Sequence, residues 1–111
     1  MGKIIDKIID REYSSEFDKL RKSRVELSYF KYGPARKNFG EGLVSALGSL
    51  DLCIDKYKKT GNTEYLVDAA NYLMFEFMYP SIKGAHFKAT DSSESAGIDG
   101  VSYNQMMSEL E

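Results

Sequence analysis

Between Thr63 and Tyr79 the chain reads TEYLVDAANYLMFEFMY, a helical pattern that is apolar at nearly every angle of its wheel. Leu66, Ala69, Ala70, Leu73 and Phe77 make one stripe, which Val67, Met74 and Met78 widen. Tyr65, Tyr72, Phe75 and Tyr79 cover much of the opposite side. A helix with one wet face is peripheral; one that is apolar all round is central or sits at an interface. Asp68 and Asn71 are embedded in this surface, and buried polar groups need partners.

The remaining pattern predicts further helices. Ile4, Ile5, Ile8, Ile9, Tyr13, Phe17 and Leu20 recur at helical spacing, and Ser14 or Ser15 with Asp18 could cap a second helix. One long helix and two broken ones both remain open. SRVELSYFKY, from Ser23 to Tyr32, also alternates in period two and admits a short strand, but helix to about Lys31 is favoured because no second strand offers to pair with it. Gly33 and Pro34 stop that element. Asn38 to Gly42 reads as loose. A helix then runs from about Glu41 to Lys59, with Leu43, Leu47, Leu50, Ile54 and Tyr57 as its apolar stripe and Ala46 and Cys53 alongside. Gly61 is its natural C-cap, Asn62 or Thr63 caps the next helix, and so short a link predicts an antiparallel hairpin.

Pro80 ends the apolar helix. Residues 81–101 form a long loop with a turn near Ser92 to Ala96. Ser102 with Gln105 makes a capping-box pattern for a short helix over 102–110, carrying Tyr103, Met106, Met107 and Leu110. The expected fold is all-α: one domain spanning 1–111, a small helical bundle around a central antiparallel hairpin.

Composition changes this picture little. In 111 residues, 42% hydrophobic and 29% charged, the balance is that of a soluble globular domain. No run approaches the roughly 18 apolar residues that span a bilayer. The first twelve residues interleave charge with isoleucine, unlike a signal peptide. A cytoplasmic location without membrane contact is expected. The single cysteine, Cys53, reads as a small buried hydrophobe. Charge is uneven: residues 1–40 hold ten Lys or Arg against six acids, whereas no basic residue follows Lys88. That polarity suits contact between the two ends, within one chain or across two copies.

Three groups could carry chemistry. Asp51 with Asp55, and Glu64 with Asp68, are spaced i,i+4 on the two arms of the hairpin, where facing helices lie about 8–10 Å apart and carboxylates could share a hard cation such as magnesium. Against this, Asp55 points away from its helix's apolar stripe, and Asp68 could instead bond a tyrosine hydroxyl or a backbone amide. The loop GAHFKATDSSESAGIDG offers His86, Lys88, hydroxyls and, at a turn opening on Ser92, free amides for an anion, although Asp91 and Glu94 could occupy those amides themselves. Finally, Lys19, Arg21, Lys22, Arg24, Lys31, Arg36 and Lys37 are interleaved with Tyr29, Phe30 and Tyr32, a mixture that suits single-stranded nucleic acid but is diluted by Glu16, Asp18 and Glu26. A solvated face over buried aromatics accounts for it more simply, so nucleic acid is not the expected partner. One Cys and one His exclude a Cys/His zinc site.

EYLVDAANYLM resembles the acid-bearing helix of the MazG-like nucleotide pyrophosphohydrolases, with Glu64, Asp68 and Asn71 at matching positions. The resemblance implies magnesium-dependent hydrolysis of nucleoside triphosphates. That family also carries two glutamates three apart on an earlier helix, where this chain has only Glu12 and Glu16, four apart. KYGPxxxNF, KTGNTEYLVDAANYLMFEFMYP and AHFKATDSSESAGIDG together resemble small proteins of phages and mobile elements in Gram-positive bacteria, across roughly residues 31 to 100. This second resemblance implies a small viral accessory protein acting stoichiometrically, as an inhibitor of host defence or a binder of a host factor.

The leading expectation is therefore a binding protein without catalytic residues or cofactor. Tyr65, Asp68, Asn71, Tyr72, Phe75, Tyr79, His86 and Lys88 are its candidate contacts. A homodimer, a protein partner or a signalling nucleotide would complete its apolar surface. The alternatives are the magnesium-dependent pyrophosphohydrolase, with Asp51, Asp55, Glu64 and Asp68 as candidate ligands, and a nucleic-acid-binding accessory protein.

Overall fold

A computed structural model describes residues 2–100, so the short helix expected over 102–110 lies outside the described residues. The described chain is all-α: α1 (Gly2–Glu12), α2 (Ser15–Tyr32), α3 (Ala35–Asn38), α4 (Ala46–Thr60) and α5 (Glu64–Met78), followed by a single 3-10 turn at Ser92–Glu94. No β-strand occurs among the described residues, and the period-two pattern of SRVELSYFKY lies within α2. The N-terminal segment is two helices. Ser14 takes the N-cap of α2, its hydroxyl accepting from the Phe17 amide at 3.0 Å, which satisfies one of the donors that a new helix leaves free.

Two element boundaries differ from the sequence expectation. The helix expected from Glu41 begins only at Ala46, where the Ser45 hydroxyl accepts from the Gly48 amide at 3.0 Å. Gly42 lies at φ +72°, and the Val44 amide donates back to the Asn38 carbonyl at 2.8 Å, so this stretch closes a tight loop and Leu43 falls outside the helix. Residues 35–38, given no helix in advance, form α3 behind Pro34, whose missing N–H costs nothing at a helix start. Gly40 is required next to it: a Cβ there would collide with the Arg36 carbonyl.

α4 ends on Gly61 in the left-handed conformation, its amide donating to the Tyr57 carbonyl at 2.8 Å. Three residues later α5 begins, with the Asn62 side chain accepting from the Glu64 amide. The α4–α5 pair makes the most extensive helix–helix contact among the described residues, and α2 packs on α5 from another side.

The core these contacts make is thin. Ala46, Val67, Ala69, Asn71 and Phe75 are buried. The apolar stripe of α5 is only partly covered, because Leu73 is 54% and Phe77 73% exposed. The aromatic side of α5, around Tyr72 and Phe75, is the side that α2 and α3 cover. The reason is the embedded polar pair: Asp68 and Asn71 sit beside these aromatics, and only α2 supplies donors to match them.

Candidate functional site: an aromatic cleft beside a polar clamp

Asp68 and Asn71 are held by two arginines one helical turn apart on α2. Arg24 presents Nε to Asp68 Oδ1 at 3.0 Å and Nη2 to Oδ2 at 3.3 Å, and its Nη2 also lies 3.2 Å from Glu64 Oε1. Arg21 Nε donates to Asn71 Oδ1 at 3.3 Å, and Asn71 Nδ2 donates to the Arg21 carbonyl at 3.0 Å. Arg21 also reaches Met74 Sδ at 3.5 Å and Asp18 Oδ1 at 3.6 Å. Asn71, 5% exposed, is thus fully satisfied, and no buried side-chain nitrogen or oxygen lacks a partner among the described residues. Asp68 raises the affinity of the Arg24 guanidinium for its proton, through the hydrogen bond first. The fork geometry matches carboxylate to guanidinium in a way lysine could not.

Next to this clamp opens a cleft of about 310 Å³. α2 contributes Val25, Ser28, Tyr29 and Tyr32, α5 contributes Asp68, Asn71, Tyr72 and Phe75, and α3 with its following turn closes the far wall with Ala35, Asn38, Phe39 and Val44. Phe39 is the keystone of that wall. Its ring stacks on Phe75 at 4.7 Å and meets Tyr72 edge-on at 6.1 Å, both favourable aromatic geometries. Asn38 fixes the turn by donating to the Tyr32 carbonyl at 3.1 Å. Burial pushes the Tyr72 phenol's pKa up, with Cys53 and Asp68 adding to the effect, and burial raises that of the Cys53 thiol.

The expected contact residues divide. Asp68, Asn71, Tyr72 and Phe75 come together in the cleft. Tyr65 is half-buried elsewhere on α5, and Tyr79 lies beside a second, more open recess with Gly40 and Pro80. His86 and Lys88 are exposed and belong to neither. His86 Nδ1 is 2.9 Å from the Gly84 carbonyl, and Lys88 Nζ is 3.2 Å from Glu94 Oε2. The turn amides proposed for an anion are occupied from within: Asp91 Oδ1 accepts from Ser93 and Glu94, and Glu94 reaches back in a capping box. The hydrogen bond from the Ser93 hydroxyl, more than any other cause, holds the Asp91 carboxyl below its usual range.

The four candidate metal ligands do not converge. Asp51 and Asp55 stay exposed on α4, Asp55 pairing with Lys59 at 2.9 Å, while Glu64 and Asp68 both turn to Arg24. Among the described residues no three His, Cys, Asp or Glu side chains gather as a metal group would need. Of the basic aromatic stretch, Arg21 and Arg24 face α5, and Tyr29 and Tyr32 line the cleft.

Sequence reasoning missed Phe39 as a site residue, and it named Arg21 and Arg24 only within the basic aromatic stretch, not as partners of Asn71 and Asp68. The Pro34–Phe39 spacing was visible, but a helix of four residues has no periodicity to announce it. No protein-family model, curated protein or solved structure matches the chain. Among the described residues no helix is long and apolar enough to cross a membrane.

Proposed function

We propose that this chain is a stoichiometric binding protein whose α2–α3–α5 cleft receives an apolar or aromatic side chain of a protein partner. The cleft itself carries the proposal: five aromatic residues surround about 310 Å³ of space, at the lower end of ligand pockets. That volume suits one or two anchoring side chains of the kind that dominate interface energetics. A signalling nucleotide fits less well, because the lining carries Asp68 as its one charged group and no cation for a phosphate. In the phage setting that the sequence resemblance implies, the partner would be a cytoplasmic host factor, such as a component of a defence system, held inactive by a one-to-one complex.

The test is a comparative capture from Gram-positive host lysate with the wild-type chain and with Ser28→Trp, whose indole would fill the cleft from the exposed α2 wall. The reading expects one protein retained in near-equimolar amount by the wild type and lost with the variant. Equal retention by both, or no equimolar protein with either, contradicts it.

A further inference from the structure

α1 buries none of its residues, yet its sequence is the most regularly amphipathic of the described helices. On the helix, Ile4, Ile8, Ile5 and Ile9 lie side by side as one stripe, and each is at least half exposed. Four such side chains expose on the order of 100 Å² apiece, about half of what one partner contributes to a standard interface. Isolated helices shorter than about 12 residues are marginal in water, and among the described residues the eleven-residue α1 buries no side chain, so an external partner would stabilise it.

The charges on α1 narrow the choice of partner. Lys3, Lys7 and Arg11 are balanced by Asp6, Asp10 and Glu12. A helix made for an anionic membrane or for nucleic acid carries a marked excess of cations on its polar face, whereas here Lys3, Lys7 and Arg11 stand with Asp6 and Asp10, an excess of one. The arrangement is instead two-sided. Lys7 and Arg11 border one edge of the isoleucine stripe and Asp6 borders the other, while Lys3 and Asp10 fall on the back. When two identical helices pair in parallel about a twofold axis, each edge meets the opposite edge of its partner. When they pair antiparallel, like edges meet. Parallel pairing therefore sets Lys7 against Asp6 of the second copy, twice over, whereas antiparallel pairing sets lysine on lysine and aspartate on aspartate. Glu12 is the one charge on the stripe itself, at the last position of α1, where the seam opens to solvent.

We infer that α1 is a self-association surface, pairing in parallel with α1 of a second copy through Ile4, Ile5, Ile8 and Ile9. This surface is separate from the cleft, which remains free in the pair. With half the usual contact area, the dimer forms in a concentration-dependent way.

Sedimentation of the full chain from about 1 to 500 µM tests the surface. The wild type shifts from monomer to dimer, and Ile8→Asp raises the dissociation constant by about tenfold or more, because a carboxylate is buried at the seam. Circular dichroism reports that the variant keeps its α2–α5 helices. Orientation is read by charge exchange: Lys7→Glu and Asp6→Lys each weaken the dimer, and the two together restore it. A Glu12→Cys chain in a Cys53→Ser background oxidises to a covalent dimer, since parallel pairing alone brings the two helix ends together. A chain that stays monomeric throughout, or a dimer indifferent to Ile8→Asp, overturns the inference. A dimer that Ile8→Asp disrupts but that neither cross-links nor responds to the exchange overturns its parallel orientation.

Discussion

Arg24 and Asp68, forty-four positions apart, meet as a fork in which Nε and Nη2 each face one carboxylate oxygen, at 3.0 and 3.3 Å. This pair orients α2 on α5 and so determines that the Tyr72–Phe75 side of α5 faces the cleft. With the Asn71–Arg21 exchange one turn further along, it gives a thin core a defined register. Apolar contacts alone would not select among the several apolar faces of α5.

The clamp is specific more than strong. Arg24 is 40% and Asp68 24% exposed at the side chain, so solvent screens their attraction. Asp68→Leu or Arg24→Leu alone should cost about 1 kcal/mol. The double variant should recover most of that loss, as apolar replacements of ion pairs often do. Urea denaturation of the four chains in a double-mutant cycle measures the coupling. Asn71→Leu is the harsher change, removing the buried amide that bonds both Arg21 Nε and the Arg21 carbonyl, at a cost of about 2 kcal/mol.

Phe75→Ala should destabilise by about 3 kcal/mol, the range for losing a buried phenyl ring. Phe39→Ala should cost about 2 kcal/mol and also remove the outer wall of the cleft. Thermal unfolding gives the stabilities, and the chemical shifts of Ala35 and Val44 report on the wall.

Gly40→Ala should act through the backbone, because any Cβ at that position meets the Arg36 carbonyl. The turn after α3 must open, displacing Phe39 from Phe75. Amide exchange of Phe39, whose N–H donates to the Ala35 carbonyl at 2.8 Å, should accelerate in this variant while that of α4 stays protected.

At alkaline pH the half-buried phenol of Tyr72 matters. Its pKa is raised in the folded chain, chiefly by burial. The stabilisation is therefore complete below the ordinary tyrosine pKa and declines as pH rises through the folded value. Stability should fall above about pH 10, and Tyr72→Phe should flatten that decline. Phenolate absorbance followed across the same range should lose the Tyr72 part of its late-titrating component in the variant, while Tyr13, held up by its hydrogen bond to Asp18, still titrates late.

Much of the fold was legible in advance because it is locally encoded. The all-α class, the Gly61 stop and the limits of α5 follow from periodicity and capping chemistry, while the break at Ser14 stood as one of two open alternatives. What escaped is tertiary. The wheel of α5 offers several apolar faces, and which one is covered depends on where α2 places two guanidinium groups. Arg21 and Arg24 look like solvent-facing charge until Asp68 and Asn71 claim them. Leu43 continues an apolar spacing into a segment that Gly42 and the Val44–Asn38 hydrogen bond fold into a loop. Phe39 enters the site from a helix too short to leave a pattern.

The claim on which the functional account rests is that the α2–α3–α5 cleft accepts an aromatic side chain. Its most direct test is an NMR titration of the full chain with p-cresol, a tyrosine side-chain surrogate. The account predicts saturable shifts confined to Val25, Ala35, Val44, Tyr72 and Phe75 that vanish in Ser28→Trp. Shifts scattered over the exposed isoleucines and phenylalanines, or cleft shifts unchanged by Ser28→Trp, would contradict it.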